Sequence, residues 1–258
     1  MNLRITLTAT ILIFTTNSHA GWLDKLSDSS EKVQQKIEST TEAIKNSGAT
    51  TSVKSALSNE DIVAGLKEAL NKGAGYAVNT LGKADGFLKN NNVKIPMPEK
   101  LAKVESLLRK TGNDKYADEF IITMNRAAES AISLTLDIIK QGVTRMSIAD
   151  AKNILQGPDD AATQYLKKTG GTKLNAEISP IVKNATSKAG VTSMYTKMYD
   201  KLGFAGKYLN LKDYNVDDYV TQKTVGGLFT MIAQEEKKIR DNPAARTTDI
   251  LKAVFGKD

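Results

Sequence analysis

NDKYADEFIITMNRAAESAISLTLDIIKQG, residues 113–142, carries the clearest apolar stripe of the chain at helical spacing. Ala117, Phe120, Ile121, Met124, Ala127, Ala128, Ala131, Leu134, Thr135 and Ile138 recur three and four apart, the period of one face of an α-helix. Asn113-Asp114 supply a start and Gly142 a stop, so the spacing predicts one central helix. Arg126, Glu129 and Asp137 fall on its other faces, where solvation or pairing accounts for them.

The same punctuation recurs on both sides of this stretch. Ser58 with Asp61 has the form of a capping box, followed by Ile62, Leu66, Ala69, Leu70, Ala74, Ala77, Val78 and Leu81 at helical spacing. Gly65, Gly73, Gly75 and Gly82 lie in or beside that stripe. Close packing of helices across small residues explains them; a phosphate-cradling Gly73-Ala74-Gly75 has neither a preceding strand nor a Walker lysine. Pro98 opens a helix through Lys110, and Ser147 with Asp150 caps another. Gly157-Pro158, Gly170-Gly171, Pro180 and Gly190 are expected to divide residues 158–200 into short helices. Asn215 caps a long helix through Arg240, with Asp217 and Asp218 at its positive end and Lys237, Lys238 and Arg240 at its negative end. A terminal helix spans 248–255. No segment alternates with period two between hairpin turns, so the expectation is an all-α fold: one multi-helix domain over 58–258. Residues 128–146 and 176–194 share Ala-Glu at their starts and Gly-Val-Thr-x-Met at their ends, a similarity too slight to establish a repeat.

The N-terminus reads differently. Arg4, the apolar run from Ile5 to Phe14, and small residues at Ser18 and Ala20 have the pattern of a secretory signal peptide, cleaved after Ala20. The run is about half the ~20 residues a spanning helix needs. Position 21 is Gly, where a lipoprotein would carry Cys. The expected location is therefore the periplasm, free of a lipid anchor and of any transmembrane span. Residues 21–57 are polar and Ser/Thr/Lys-rich, with Val33, Ile37, Ala43 and Ile44 as a thin apolar stripe: an amphipathic helix and then a linker.

Composition removes much chemistry. The 258 residues contain no Cys and one His, His19, inside the leader. Disulfides, thiolate nucleophiles, a Ser-His-Asp triad and His- or Cys-ligated metals are all excluded for residues 21–258, and no cofactor is expected. Carboxylates, Lys, Tyr and Ser remain. Ser29-x-x-Lys32 has serine–lysine spacing but lies in the polar N-terminal stretch.

The charge is concentrated. Between Lys167 and Lys212 there are nine lysines against Glu177 and Asp200, a local +7, while the whole chain carries +7. Tyr195, Tyr199, Phe204 and Tyr208 are interleaved with Lys197, Lys201 and Lys207. Lys183, Lys188, Tyr195, Lys197, Tyr199 and Lys201 are accordingly the candidate binding residues, with ammonium groups as point charges and rings as platforms. The partners this chemistry suits are anionic or carbohydrate envelope components, lipid headgroups, lipopolysaccharide or peptidoglycan, or a protein; nucleic acid is not expected outside the cytoplasm. The simpler alternative places Met194, Tyr195, Met198, Tyr199 and Leu202 in the core and the lysines in water.

Acidic residues supply two further candidates. Asp159, Asp160, Glu235 and Glu236 are the carboxylates a glycosidase-like hydrolase would draw on, if two of them faced one cleft. In competition, helix first turns explain the first pair, and Glu236 and Arg240 have the spacing of a surface ion pair, which Arg246 and Asp249 are near enough to join. Asp213-x-Asn215-x-Asp217 matches the opening of a calcium loop, giving a third candidate, a calcium-stabilised module. The match ends there: Asp218 stands where the loop needs Gly and Thr224 where it needs a bidentate carboxylate.

Two stretches together carry a family likeness: Gly157-Pro158-Asp159-Asp160-Ala161-Ala162-Thr163-Gln164-Tyr165, and the run from Asp218-Tyr219-Val220-Thr221 through Gly227-Leu228-Phe229 to Glu235-Glu236-Lys237-Lys238-Ile239-Arg240-Asp241-Asn242-Pro243-Ala244-Ala245-Arg246-Thr247-Thr248. They resemble the exported bacterial family known as domain of unknown function 4197, over roughly residues 56–256. The resemblance implies a helical Gram-negative envelope protein and brings no reaction, ligand or residue role. The residues themselves point first to a non-enzymatic binding or interaction protein.

Overall fold

A computed structural model describes residues 58–203 and 214–256. The leader, the polar stretch to residue 57 and Asp213 lie outside the described residues. Everything described belongs to one compact unit. It is all-α, with nine α-helices and no strand among the described residues.

Local signals set the starts of several helices. Helix α1, Asn59–Leu81, begins at the Ser58 box: the Asp61 amide donates to Ser58 Oγ at 3.1 Å, and the Ser58 amide donates to Asp61 Oδ2 at 2.9 Å. The reciprocal bonds satisfy donors that a helix N-terminus otherwise leaves open. A single 3₁₀ turn, Glu99–Leu101, leads into α2, Ala102–Lys110, and α3 runs Asp114–Ile132. Helix α4 is Leu136–Val143. Helix α5, Ile148–Leu155, starts at the same kind of box between Ser147 and Asp150.

Two boundaries differ from expectation. The central stripe is two helices, since the chain turns tightly after Ile132 through three-residue bonds from the Leu134 amide to the Ala131 carbonyl and from Thr135 to Ile132, each 3.1 Å. The turn lets α4 fold onto α1, which a straight continuation of α3 would overshoot. Leu134 is left 69 % exposed, while Thr135 is fully buried. Conversely, the expected short helices of 161–189 are one, α6, Ala161–Ala189, passing through Gly170-Gly171 and Pro180. Each glycine costs a helix about 1 kcal/mol and an internal proline about 3. Burial of Leu166, Leu174, Ile178 and Val182 offsets this at about 1.5–3 kcal/mol per large side chain. Gly190, at φ 75°, ends α6 in the left-handed region that glycine enters without steric cost, and α7, Val191–Asp200, starts at once. The 128–146 and 176–194 segments thus have different structures and are not a structural repeat.

Helix α8, Val216–Asp241, is capped by Asn215, whose side chain accepts the Asp218 amide at 3.1 Å. It packs along both α1 and α6; α3 packs on α6 and α7. After a 3₁₀ turn, Pro243–Ala245, helix α9, Asp249–Phe255, caps at Thr248 and lies on α1. Gly65 of α1 permits that contact: a Cβ there would sit 2.6 Å from Val254 Cγ2. The core is built from Leu66, Leu70, Phe87, Ile95, Phe120, Met124, Ile132 and Ile139, all at most 1 % exposed.

Buried polar groups pin the loop between α1 and α2. Glu129, 3 % exposed, accepts from the Phe87 amide at 3.1 Å and the Leu88 amide at 3.2 Å, and pairs with Arg126 at 2.7 Å. Arg126 also holds Asp85 at 2.6 Å, in a non-glycine left-handed conformation at φ 67°. Fully buried Asn125 accepts from the Ile95 amide at 2.9 Å and donates to the Ile95 carbonyl at 2.8 Å. Glu129 is therefore a buried anchor of the loop and does not sit on a solvated face.

Candidate functional site

Helix α7 divides the candidate binding residues between faces. With 3.6 residues per turn, Thr192, Tyr195, Thr196 and Tyr199 share one side, and Lys197 lies about 200° round from Tyr195. Val191, Met198 and Leu202 form the core side and are buried. Lys183 and Lys188 at the end of α6, and Lys197 and Lys201 in and after α7, are exposed. The tyrosines and the lysines that alternate in sequence thus part company: Tyr195 and Tyr199 are half-buried, and the lysines stand in water.

On the tyrosine side a cleft of about 850 Å³ opens, with Thr192, Tyr195, Thr196, Tyr199, Asp200 and Gly203 on one wall and Tyr214, Asn215, Val216 and Asp217 on the other. Its size falls within the range of small-molecule sites. Burial, and then the adjacent Tyr199, push the Tyr195 hydroxyl above its ordinary pKa; burial, and then Tyr195, do the same to Tyr214. The three phenols are close enough to disfavour one another's ionisation. Tyr195 is held from behind by Phe120, their ring centroids 5.9 Å apart. Tyr219, one turn along α8, donates to the Pro96 carbonyl at 3.0 Å, and burial raises its pKa to about 12.

On the lysine side the tertiary structure adds residues that the sequence did not bring together. Lys115 and Lys201 place their ammonium nitrogens 5.1 and 5.2 Å from the centroid of the Tyr116 ring. Neither has a salt bridge among the described residues. Lys100 lies 5.9 Å from the Tyr214 ring and Lys223 5.5 Å from Tyr219. Tyr116, Lys115 and Lys100 lie outside the basic segment 167–212, so charge counting along the chain passed over them.

The acidic candidates are committed elsewhere. Glu236, 3 % exposed, accepts from the Ala162 amide at 2.9 Å, the Thr163 amide at 2.8 Å and Thr163 Oγ1 at 2.7 Å, and pairs with Arg240 at 2.9 Å. This pair is buried and caps α6, rather than lying on the surface. Arg246 is buried too, donating to the Ile239 and Arg240 carbonyls at 2.9 and 2.7 Å, so it does not join the pair. Asp159 pairs with Lys237, Asp160 accepts from Gln164 at 2.7 Å, and Glu235, 6 % exposed, pairs with Lys238 at 3.3 Å. None of these four carboxylates is among the described residues lining the cleft. Of the calcium candidates, Asn215 caps α8 and Asp217 accepts Thr186 Oγ1 at 2.6 Å. No group of three acidic side chains suited to a metal occurs among the described residues.

Residues 56–256 match the family described as protein of unknown function, DUF4197. The chain belongs to the DUF4197 family. No curated protein and no solved structure matches it. The matched span of this DUF4197 chain takes in both faces of α7, the cleft and the Glu236 cap, so all of these belong to the family domain. Among the described residues no helix of the DUF4197 domain is long and apolar enough to cross a membrane.

Proposed function

We propose that this chain is an exported, non-enzymatic binding protein of the bacterial cell envelope, which holds an anionic partner on its lysine-rich end. The observation that carries the reading is the convergence of Lys115 and Lys201 on Tyr116, beside exposed Lys197, with no carboxylate neutralising them among the described residues. Ammonium groups gathered without counter-charges raise the local potential and attract anions from water. Lys183 and Lys188 extend the positive surface along the end of α6. Lysine suits this task as a mobile point charge where the partner's phosphates or carboxylates are not held in one fixed geometry. The signal-peptide pattern of residues 1–20 supports export, and the anionic components available outside the cytoplasm are lipid headgroups, lipopolysaccharide and peptidoglycan.

Binding of the protein to phosphatidylglycerol vesicles, lipopolysaccharide and peptidoglycan fragments, followed over a salt series, tests the proposal. Binding that weakens with salt and falls when Lys115, Lys183, Lys188, Lys197 and Lys201 become Gln is expected. Absence of salt-dependent binding to all three, or unchanged binding by the variant, would sink it.

A further inference from the structure

The cleft on the opposite side of α7 has its own chemistry. Three phenol rings, Tyr195, Tyr199 and Tyr214, face a volume of about 850 Å³ together with two carboxylates, Asp200 and Asp217, and no lysine or arginine occurs among the described lining residues. Anions are disfavoured there by the two negative charges. The positive N-terminus of α8, which would otherwise attract an anion, is already served by the Asn215 cap and by Asp217 and Asp218 in its first turn. A neutral ligand can cover the rings but leaves the carboxylates with no opposite charge. An organic cation answers both features, because aromatic faces attract ammonium groups within about 6 Å of the ring centroid and carboxylates attract them over a longer range. Rings in this part of the fold already do so: Tyr214 accepts the Lys100 ammonium at 5.9 Å, and Tyr219 accepts Lys223 at 5.5 Å.

We propose that the Tyr195, Tyr199 and Tyr214 cleft is a binding site for an organic ammonium group, with Asp200 and Asp217 supplying the countercharge. The amine can belong to a lipid headgroup or to an amino sugar; the shared chemistry is a cation with an apolar or hydroxylated skirt, which the rings and the Thr192 and Thr196 hydroxyls can meet. The site is separate from the lysine face and does not depend on it.

Titration of the full chain with choline, ethanolamine and glucosamine, by calorimetry and by NMR of the tyrosine resonances, tests this against 3,3-dimethylbutan-1-ol and glucose as uncharged counterparts. At least one ammonium probe is expected to bind about tenfold more tightly than its counterpart. Choline or ethanolamine prevailing names a headgroup, and glucosamine prevailing names an amino sugar. Asp200→Asn, a change at an exposed position that leaves packing intact, and Tyr199→Leu are each expected to weaken binding about fivefold or more. Lys197→Gln should leave it unweakened, which keeps this result distinct from anion binding on the other face. Equal affinity for charged and uncharged probes, no binding of any of the three amines, or full affinity in Asp200→Asn and Tyr199→Leu together would overturn the proposal.

Discussion

Glu236 on α8 reaches the first turn of α6 and accepts from both the amide and the hydroxyl of Thr163, at 2.8 and 2.7 Å, joining two helices that are 73 residues apart along the chain at this point. The amides at a helix N-terminus lack intrahelical partners, and a carboxylate there also meets the positive end of the macrodipole. Arg240 completes the arrangement by bonding Glu236 and the Ile154 carbonyl, tying the end of α5 to the same point.

Removing this carboxylate leaves Arg240 and two amides buried without their acceptor. Glu236→Ala is expected to destabilise the fold by about 3–5 kcal/mol, and Glu236→Gln by less, since one acceptor oxygen remains. Urea unfolding should show a lower midpoint at unchanged slope for both.

Asn125 offers a second buried test. Replacement by Leu keeps the volume roughly but strands the amide and carbonyl of Ile95, at about 1–3 kcal/mol each. Hydrogen exchange at the Ile95 amide should accelerate far more than at the Phe120 amide in the middle of α3; equal acceleration would mean global loss of stability with no local role for Asn125.

Adjacent glycines of α8 should respond in opposite directions. A Cβ at Gly227 would lie 2.8 Å from Phe87 Cε1 and 3.2 Å from Val93 Cβ, so Gly227→Ala is expected to cost about 1–3 kcal/mol. At Gly226 nothing lies within 4 Å, and Gly226→Ala should stabilise by about 0.5–1 kcal/mol through helix propensity. Thermal midpoints of the two variants, measured side by side, check both signs.

Acid should act through Asp85 and Asp150. Hydrogen bonds from Lys89 and then Arg126 hold the Asp85 pKa below its ordinary value, and Ser147 does the same for Asp150. A depressed folded pKa means that the stabilisation is present above the unfolded value, about 4, and is lost as pH falls through the folded one. The thermal midpoint should therefore decline below about pH 4. In Asp85→Asn, where Asn tolerates the left-handed backbone, the decline should be shallower. An identical acid profile in that variant would remove Asp85 from the account.

Much of the helical plan was legible because it is local. The caps at Ser58, Ser147, Asn215 and Thr248 are satisfied by residues two or three positions on, a distance that sequence displays directly. The breaks were less legible. Gly170-Gly171 and Pro180 read as stops, yet α6 continues, because packing against α3 and α8 outweighs local propensity. The turn at Ser133 has no glycine or proline to announce it. Its reason is the position of α1, which α4 must reach.

Sequence by itself determined that the protein is helical, rich in lysine over one segment, and without histidine or cysteine chemistry after residue 20, since composition and periodicity are properties of the chain alone. Only the tertiary structure decided which charges are buried, that Lys115 and Lys201 meet over Tyr116, and that Tyr195 and Tyr199 face Tyr214 across a cleft. Those relationships join residues far apart along the chain, and their geometry comes from the packing of α3, α7 and α8.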